Sequence, residues 1–396
     1  MDNVCSYVGA SLDGFIIKDS LTNETEVPQN TSHAYSDYST TGFAGLNASS
    51  SDSPLDLRFY LYGVINPIFC VMGIIGNALN ILVLTRRRMQ ESMDCTMEKA
   101  AQTGLVALAA SDMLYCITAL FNEFFGGNQT LFMGRNIWMF AQIYGNYVQN
   151  IFMNSSTWLT VIMAAGRYAA ICRPLHARYL VGITATRIAV LSTFLTWILL
   201  QLPTVWRHSV AEIECYGQTV YILDEGVFIT NLKLRMTFSY LWSVFGYFIP
   251  VLILAYCNVH LIKALRESNR MRRLYRVSPR GPSAGSRITP TLVAIVCMFL
   301  LLVSPSEILQ FFHYTVSGQE FEAFNIALVF SNMLLTVNFA FNFVLYCIVN
   351  VHFRETWKEV VFCFVRRKYY GPLRKRKNSA STKASFIGQS TFESMV

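Results

Sequence analysis

The sequence predicts an all-α membrane protein, a bundle of seven transmembrane helices followed by a short amphipathic eighth helix. The chain is 53% hydrophobic and only 14% charged, whereas soluble domains carry roughly 25% charged residues. Its apolar residues gather in runs of about 20 or more, the length that crosses a bilayer as a helix. A membrane bundle therefore explains the 396 residues better than two soluble domains do.

The seven predicted spans follow the apolar runs along the chain. They cover residues 59–84, 101–125, 137–168, 187–206, 236–263, 288–314 and 324–350. With their connecting loops they form one transmembrane domain, 59–350. Small and polar residues interrupt the second and fourth apolar runs, so the ends of these two spans are the least well defined.

Basic residues alternate between the two sides of the predicted bundle. They cluster after the first span, between the third and fourth, between the fifth and sixth, and after the seventh. The link between the last two spans has no Lys or Arg, and its only charged residues are Glu320 and Glu322. The positive-inside rule places the amino terminus outside and the carboxyl terminus in the cytoplasm of a multi-pass protein of the plasma membrane. The net charge of +8 thus reflects topology, and we expect no nucleic-acid partner.

The segment 1–58 is rich in Ser, Thr, Asn and Asp, which predicts a disordered extracellular tail. Asn23, Asn30 and Asn47 each begin an N-glycosylation sequon there. The start of the chain lacks the basic and apolar regions of a signal peptide. We therefore expect the first span to act as its own signal anchor.

Polar and kinking residues inside the spans suggest function. Asp112 in the second span costs several kcal/mol unless it meets water, a cation or hydrogen-bond partners. Pro250 and Pro305 each remove a helix hydrogen bond and predict kinks or hinges in the fifth and sixth spans.

Short motifs occur in a fixed order, each on its own span. They are Gly76-Asn77 in the first, Leu108 to Asp112 in the second, Ser156 and Arg167-Tyr168 in the third, Trp197 and Pro203 in the fourth, Pro250 in the fifth, Phe299 and Pro305 in the sixth, and Asn338, Asn342 and Tyr346 in the seventh. This series resembles the rhodopsin-like (class A) G-protein-coupled receptors.

The resemblance implies two internal sites. A hydrated pocket for an allosteric sodium ion, the only cofactor expected, would be formed by Asn77, Asp112, Ser156, Asn338 and Asn342. The alternative is a protonated Asp112 that joins helices by hydrogen bonds alone. Coupling to a heterotrimeric G protein and the associated switch would involve Gly166, Arg167, Tyr168, Pro250, Phe299, Pro305 and Tyr346.

Several positions depart from the family's pattern. Gly166 replaces the usual acid before Arg167, Val303 replaces the tryptophan of the sixth span, and Phe343 replaces the proline of the seventh. Because Gly166 cannot neutralise Arg167, we predict raised basal signalling. The alternative function is a constitutively active or scaffolding receptor without a conventional agonist.

The outer halves of the spans hold the predicted ligand-binding residues, Glu123, Gln149, Met153, Trp242, Glu307, Gln310, His313 and Asn332. Amine receptors have an aspartate where this chain has Gln149, so we do not expect a monoamine. The seventh span contains no lysine for a retinal Schiff base.

Two acids beside aromatic residues suit an extracellular peptide with a basic residue. Alternatively, Glu307 is protonated or paired with Gln310 or His313. The pattern resembles invertebrate neuropeptide receptors of the FMRFamide-receptor kind.

In receptors of this family a disulfide usually links the second outer loop to the third span. Cys215 lies in that loop, but Gln142 occupies the position of its partner. A bridge between Cys5 and Cys215 and a pair of free thiols both remain open.

The carboxyl-terminal region predicts an amphipathic interfacial helix at 351–365, with an apolar stripe of Phe353, Trp357, Val360, Val361 and Phe364. Cys363 is a palmitoylation candidate or an ordinary buried thiol. The basic residues of the tail 366–396 favour binding to anionic membrane lipids. Its Ser and Thr residues are possible phosphorylation sites that would recruit arrestin. Its last residues, Ser394, Met395 and Val396, match the pattern that PDZ domains bind.

Two other classes of function do not suit the sequence. The six histidines are scattered, and no spacing of His, Cys or acids predicts a metal site or a nucleophile, so we expect no enzyme. A transporter should show inverted repeats with broken helices in corresponding halves. The sequence has no such symmetry.

Overall fold

The computed structural model describes residues 59–86, 96–125, 131–132, 137–175, 177, 181–215, 218–274, 285–313, 320–349 and 353–359. The chain divides into two compact units, Met1–Thr356 and Trp357–Val396, and the architecture below is that of the first. The glycosylation sites Asn23, Asn30 and Asn47, Cys363 and the terminal Ser394, Met395 and Val396 lie outside the described residues.

Seven long helices form the bundle in the described part of the first unit. The first four are α1 (Asn66–Leu84, preceded by a π-helical segment Phe59–Ile65), α2 (Thr96–Phe125), α3 (Ile137–Cys172) and α4 (Ile183–Leu200). α5 runs as Leu232–Ser243, a π-helical segment Val244–Phe248 and Ile249–Leu274. α6 is Gly285–Phe312, and α7 is Glu320–Ala340, resuming after Phe341 as Asn342–Val349.

The helices confirm the predicted helical membrane bundle. Five helical stretches within the described ranges are long and apolar enough to cross a membrane, and α6 adds a shorter apolar stretch, Val296–Phe312. α3 falls outside this set and carries a buried polar run from Asn154 to Thr157. It packs against α2, α4, α5 and α6, so its polar side chains face protein rather than lipid.

Several helices extend beyond the predicted spans. α2 begins at Thr96 rather than at residue 101, α3 ends at Cys172 rather than at 168, and α5 reaches Leu274 rather than 263. The residues added to α2 and α5 are mostly polar or charged, whereas those added to α3, 169–172, are apolar. An apolar run marks where lipid ends, whereas the helix continues as long as its backbone bonds and side chains permit.

Pro250 lies two residues after the last residue of the π-helical segment of α5. A proline ring clashes with the carbonyl four residues earlier, here that of Gly246, and widening of the preceding turn relieves this clash. α5 therefore stays helical through Pro250. The role of Pro250 and Pro305 as hinges stays a prediction.

A small antiparallel sheet, absent from the all-α prediction, covers one end of the bundle. Its strands are β1 (Leu131–Phe132), β2 (His208–Cys215) and β3 (Gln218–Glu225), in the order β1-β3-β2. β2 and β3 pair from His208 opposite Glu225 to Cys215 opposite Gln218. Val and Ile in both runs on either side of a glycine were an available hairpin signal in the sequence.

Cys215, at the end of β2, is disulfide-bonded and buried. The alternative in which it remains a free thiol is therefore wrong. The cysteines at 70, 116, 172, 257, 297 and 347 are free. The partner of Cys215 accordingly lies outside the described residues.

The eighth helix is described only over residues 353–359. Phe353 and Thr356 are buried, whereas Arg354 and Glu355 are exposed. Phe353 stacks on Tyr346 of α7, with 5.3 Å between the ring centroids. One side of the first turn thus packs against the bundle, and the rest of the predicted stripe lies outside the described residues.

Candidate functional site

A cavity of about 200 Å³ lies near the sheet, between the ends of the helices. α1, α2, α3, α5, α6 and α7 contribute to its walls, together with the segment between α4 and β2. The walls mix amide, charged and aromatic side chains, a composition that can hold a ligand with both polar and apolar groups.

Seven of the eight predicted ligand-binding residues line this cavity, namely Glu123, Gln149, Met153, Trp242, Gln310, His313 and Asn332. The expectation that they lie together thus agrees with the structure, while their role in binding stays a prediction.

Glu307 is the exception, because it does not line the cavity. It is buried, with 5% exposure, and lies close enough to Tyr247 of α5 for electrostatic interaction. Residues three apart on an α-helix differ by about 60° in direction, so Gln310 can face the cavity while Glu307 does not. The structure therefore does not bring Glu307 and Glu123 together in this cavity, and a role of Glu307 in binding stays a prediction.

Glu123 of α2 presents a carboxylate at the cavity wall. Asn66 of α1 donates a hydrogen bond to Oε1, whereas the buried Oε2 has no partner among the residues described. A buried carboxylate oxygen without a partner is costly, since desolvation is not repaid by a hydrogen bond. Glu123 can therefore accept a further donor, and a cationic one most favourably.

Amide side chains from neighbouring helices organise the same wall. Asn122 of α2 donates from Nδ2 to Oε1 of Gln149 on α3, at 2.6 Å. Asn332 of α7 accepts a hydrogen bond from Ser306 of α6 and donates to the Tyr62 hydroxyl at 3.4 Å. These bonds fix the orientation of two predicted ligand-binding residues, Gln149 and Asn332.

Among the polar lining residues that the sequence analysis missed, four come from the end of α4, the segment after it and the start of α5: Gln201, Thr204, Arg207 and Arg235. Gln201 and Thr204 lie at the end of the predicted fourth span, and Arg207 and Arg235 lie in the predicted outer loop between the fourth and fifth spans. The region instead forms a 3₁₀-helix, Leu202–Arg207, the two strands, a short helix and the first turns of α5. The cavity therefore carries two guanidinium groups as well as an acid.

The predicted sodium pocket lies deeper in the bundle around Asp112, which is fully buried. Ser156 of α3 donates to its Oδ1 and Asn342 of α7 donates to its Oδ2. Asn77 instead donates to the backbone carbonyls of Gly73 and Phe339, at 3.0 and 2.9 Å. Asn338 is also buried.

The donor set around Asp112 consists of carboxylate, amide and hydroxyl oxygens, which suits a hard cation such as sodium. Two of the roughly four lone-pair positions on the carboxylate are used by protein donors. The remaining ones can face a cation, so the residues fit the predicted ion. Within the described ranges, no three His, Cys, Asp or Glu side chains cluster as a metal site.

The predicted switch residues extend from the core to the end of α3. Arg167 is buried at 4% exposure, whereas a Cβ atom added at Gly166 would meet nothing within 4 Å. The hydroxyl oxygens of Tyr168 and Tyr256 lie 3.4 Å apart. Phe299 is buried in the central apolar cluster.

Tyr346, the last switch residue, is buried, and its hydroxyl has no hydrogen-bond partner in the described structure. The geometry leaves the coupling role of these residues a prediction.

Known proteins resemble this chain over most of its length. The Drosophila melanogaster sex peptide receptor is 26% identical over 361 residues, covering 85% of this chain and 78% of that receptor. Sex peptide receptor-related protein 2 of Caenorhabditis elegans is 27% identical over 336 residues, covering 78% and 72%. The Drosophila melanogaster FMRFamide receptor is 23% identical over 318 residues, covering 77% and 54%.

A family profile, described as "Serpentine type 7TM GPCR chemoreceptor Srw", matches residues 64–364. It spans all seven helices and more than half of the chain. The relatives confirm the resemblance to class A receptors of the invertebrate neuropeptide kind, which are receptors and not enzymes. The chain is a multi-pass membrane protein and belongs to the serpentine-type seven-transmembrane G-protein-coupled receptor family Srw.

Proposed function

We propose that the chain is a plasma-membrane receptor, with its amino terminus outside, that binds an extracellular peptide in the cavity near the sheet. Binding would activate a heterotrimeric G protein at the opposite end of the bundle. The observation that carries the proposal is Glu123 at the wall of that cavity, whose buried Oε2 has no hydrogen-bond partner in the part of the chain that the structure describes.

The chemistry of Glu123 favours a ligand with a basic side chain. A guanidinium or ammonium group would donate to Oε2 and neutralise the carboxylate. The relatives named for sex peptide and FMRFamide support a peptide. FMRFamide, which is Phe-Met-Arg-Phe-amide, carries one arginine and is the probe of choice.

Cells that express the receptor would be treated with FMRFamide and with the same peptide in which Arg is replaced by Ala, using calcium and cAMP readouts. Glu123→Gln should lower the potency of FMRFamide by about 10–100-fold, the equivalent of about 1.5–3 kcal/mol for a hydrogen bond to a charged group. The same substitution should change the potency of the Ala peptide much less, because that peptide lacks the partner.

Glu307→Gln is the matched control, since Glu307 is a buried glutamate that does not line the cavity. It should leave the potency of FMRFamide nearly unchanged at equal surface expression. Equal losses of potency for both peptides in Glu123→Gln would overturn the charge pairing. Failure of a broad neuropeptide panel to evoke any response would count against peptide activation itself.

Gly166 favours the second candidate, a receptor that signals or scaffolds without a conventional agonist. Gly166 has no carboxylate with which to hold Arg167 in a resting state. High calcium or cAMP signals without ligand, unaffected by any peptide, would favour this candidate. A dose-dependent response favours the first.

Arrestin, PDZ proteins, palmitoylation of Cys363 and glycosylation of Asn23, Asn30 and Asn47 complete the proposal. Each rests on sequence outside the described residues. They would control trafficking and desensitisation rather than ligand recognition.

A further inference from the structure

β2 is the edge strand of the small sheet beside the cavity. The described strands lie in the order β1-β3-β2, so one edge of β2 faces β3 and the other faces outward. Cys215 pairs with Gln218 across a two-residue turn. In such a hairpin the residues that flank the turn exchange their backbone hydrogen bonds, and bonded and non-bonded pairs then alternate along the strands. The backbone groups of Val210 and Glu212 therefore point to the outer edge, where a further strand can pair with them.

The side of the hairpin that faces away from α3 is buried near the turn. Leu223 of β3 packs against Met139 and Ile143 of α3. Val220 is an odd number of residues from Leu223, so its side chain points to the opposite side of the sheet, as does that of Cys215. Both are nevertheless buried, with 1% exposure for Val220 and 3% for Cys215. Other parts of the chain therefore cover this side.

The disulfide of Cys215 identifies a segment that reaches this place. The chain has ten cysteines, of which six are free. Besides Cys215, this leaves Cys5, Cys95 and Cys363. Cys95 directly precedes α2, whereas β1 follows the other end of that 30-residue helix, about 45 Å away. Cys363 lies beyond α7, on the proposed cytoplasmic side. The remaining partner is Cys5, which anchors the amino-terminal segment to the end of β2.

We propose that residues 5–12 pair with the outer edge of β2 as a fourth, antiparallel strand, with Cys5 opposite Cys215. At that edge Cys215 belongs to a non-hydrogen-bonded pair, in which opposite Cα atoms lie about 4.5 Å apart. Disulfides join Cα atoms about 4.4–6.8 Å apart, so a bridge fits this pair. A parallel strand from the same anchor would instead bring Asp2 beside Glu212, and like charges on adjacent strands repel.

The side chains of the segment suit both sides of the sheet in this register. Ala10 lies opposite Val210, which is 45% exposed at the edge of the sheet, and covers part of its side chain. Tyr7 lies opposite Ile213 on the side of the sheet that carries the buried Val220. Pairs of aromatic and β-branched residues on adjacent strands stabilise a sheet.

The same register brings the fourth strand to the cavity. The pairing of β2 with β3 continues beyond the strands, because the Gly226 amide donates to the Arg207 carbonyl at 2.8 Å. Arg207 lines the cavity. The residue opposite Arg207 is Asp13, and opposite charges on adjacent strands attract. The amino-terminal segment thereby becomes part of the cavity wall, whichever ligand the receptor binds.

The first test locates the strand by cross-linking, with Cys5 and Cys215 left in place. Gly9→Cys combined with Ala211→Cys should form a second disulfide, because the two positions form another non-hydrogen-bonded pair. Ala10→Cys with Ala211→Cys is the control, whose side chains point to opposite sides of the sheet. Trypsin joins Met1–Lys18 to His208–Lys233 through the first disulfide. Mass spectrometry after treatment with iodoacetamide should find no alkylated thiol in the Gly9 variant and two in the control.

Two outcomes of the cross-linking would overturn the proposal. Equal behaviour of the Gly9 and Ala10 variants would mean that the segment takes no fixed register. Closure of a disulfide in Asn3→Cys with Ile213→Cys, in place of the Gly9 pair, would mean that the strand is parallel.

The second test uses proline and backbone hydrogen exchange. The Ala10 amide points at β2 in this register, so Ala10→Pro removes a donor of the ladder, whereas the Gly9 amide points outward and Gly9→Pro is tolerated. The β2 peptide that contains Val210 and Glu212 should exchange slowly in the wild-type receptor and in Gly9→Pro. In Ala10→Pro its exchange should be at least about tenfold faster. The same exchange rate in all three proteins would contradict the fourth strand.

Discussion

Asn342 of α7 donates a hydrogen bond to Oδ2 of Asp112 on α2, a residue 230 positions earlier in the chain. Ser156 of α3 donates to the other carboxylate oxygen. One buried carboxylate thus joins three helices, and removal of its charge should affect the packing of all three as well as any bound cation.

Asp112→Asn tests the proposed sodium pocket. The wild-type receptor should melt at a higher temperature in sodium chloride than in the same concentration of N-methylglucamine chloride. A ligand at ten times its Kd stabilises the folded state by about 1.4 kcal/mol. Asp112→Asn should abolish this dependence because it removes the only charge that has been assigned to the pocket.

Asp224→Asn, at an exposed position in β3, is the control and should retain the response to sodium. A wild-type receptor that melts at the same temperature in both salts would favour the alternative, in which a protonated Asp112 only joins helices.

The surroundings of Gly166 allow a direct test of basal signalling. An added Cβ atom would meet no other atom within 4 Å, so an aspartate can enter without repacking. Gly166→Asp should stabilise the resting state through Arg167. A coupling of about 1 kcal/mol would lower ligand-free calcium or cAMP signalling about fivefold.

Gly166→Asn adds nearly the same volume without the charge. It should leave ligand-free signalling close to that of the wild type at equal surface expression. If Asp and Asn lower the signal equally, the cause is steric or conformational and the charge hypothesis fails.

The sequence predicted the membrane bundle because lipid imposes a simple rule. Helices that face lipid need long apolar runs, and such runs are visible without any tertiary information. The grouping of seven ligand-binding candidates in one cavity came from motifs that fix each helix in register, such as Arg167 in α3 and Pro305 in α6.

The segment from Gln201 to Arg235 was not predictable in the same way. Its first residues, up to Arg207, belong to an apolar helical stretch, but the hydropathy of that stretch does not show where α4 gives way to a 3₁₀-helix. The runs of Val and Ile indicate two strands, whereas the packing of those strands beside the cavity depends on tertiary contacts. The misplacement of Glu307 has a different cause. The helical periodicity of the sequence gives the spacing of Glu307 and Gln310 on α6. It does not give the orientation of α6 about its own axis, which decides which side chain faces the cavity and which faces α5.

Cys215 and Cys5 provide a chemical prediction. Cys215 is disulfide-bonded, and Cys5 is the other cysteine expected on the outer side. Mass spectrometry of the unreduced receptor should find a cross-linked peptide that contains both residues, and Cys5→Ser should expose Cys215 to maleimide. Loss of a native disulfide costs about 2–5 kcal/mol, so the melting temperature should also fall.

Cys297→Ser, which alters a free cysteine, should preserve both the cross-linked peptide and the melting temperature. A different partner for Cys215 in the mass spectrum would refute the assignment.

Gly145 of α3 makes the polar wall of the cavity sensitive to one methyl group. A Cβ atom at this position would lie 2.0 Å from Oδ1 of Asn122, a side chain that is only 5% exposed and bonded to Gln149. Gly145→Ala should therefore break that bond and destabilise the receptor by about 1–3 kcal/mol, as overpacking does. Gly166→Ala, in open space on the same helix, should instead stabilise it by about 0.5–1 kcal/mol.

A double-mutant cycle with Asn122→Ala distinguishes overpacking from a general effect on α3. Once the Asn122 side chain is removed, Gly145→Ala should cost far less, because the clash no longer exists. The melting temperatures of the four proteins give the coupling energy. Additive effects of Gly145→Ala and Asn122→Ala would mean that the two residues do not contact each other, and the proposed geometry of the cavity wall around Gln149 would have to be abandoned.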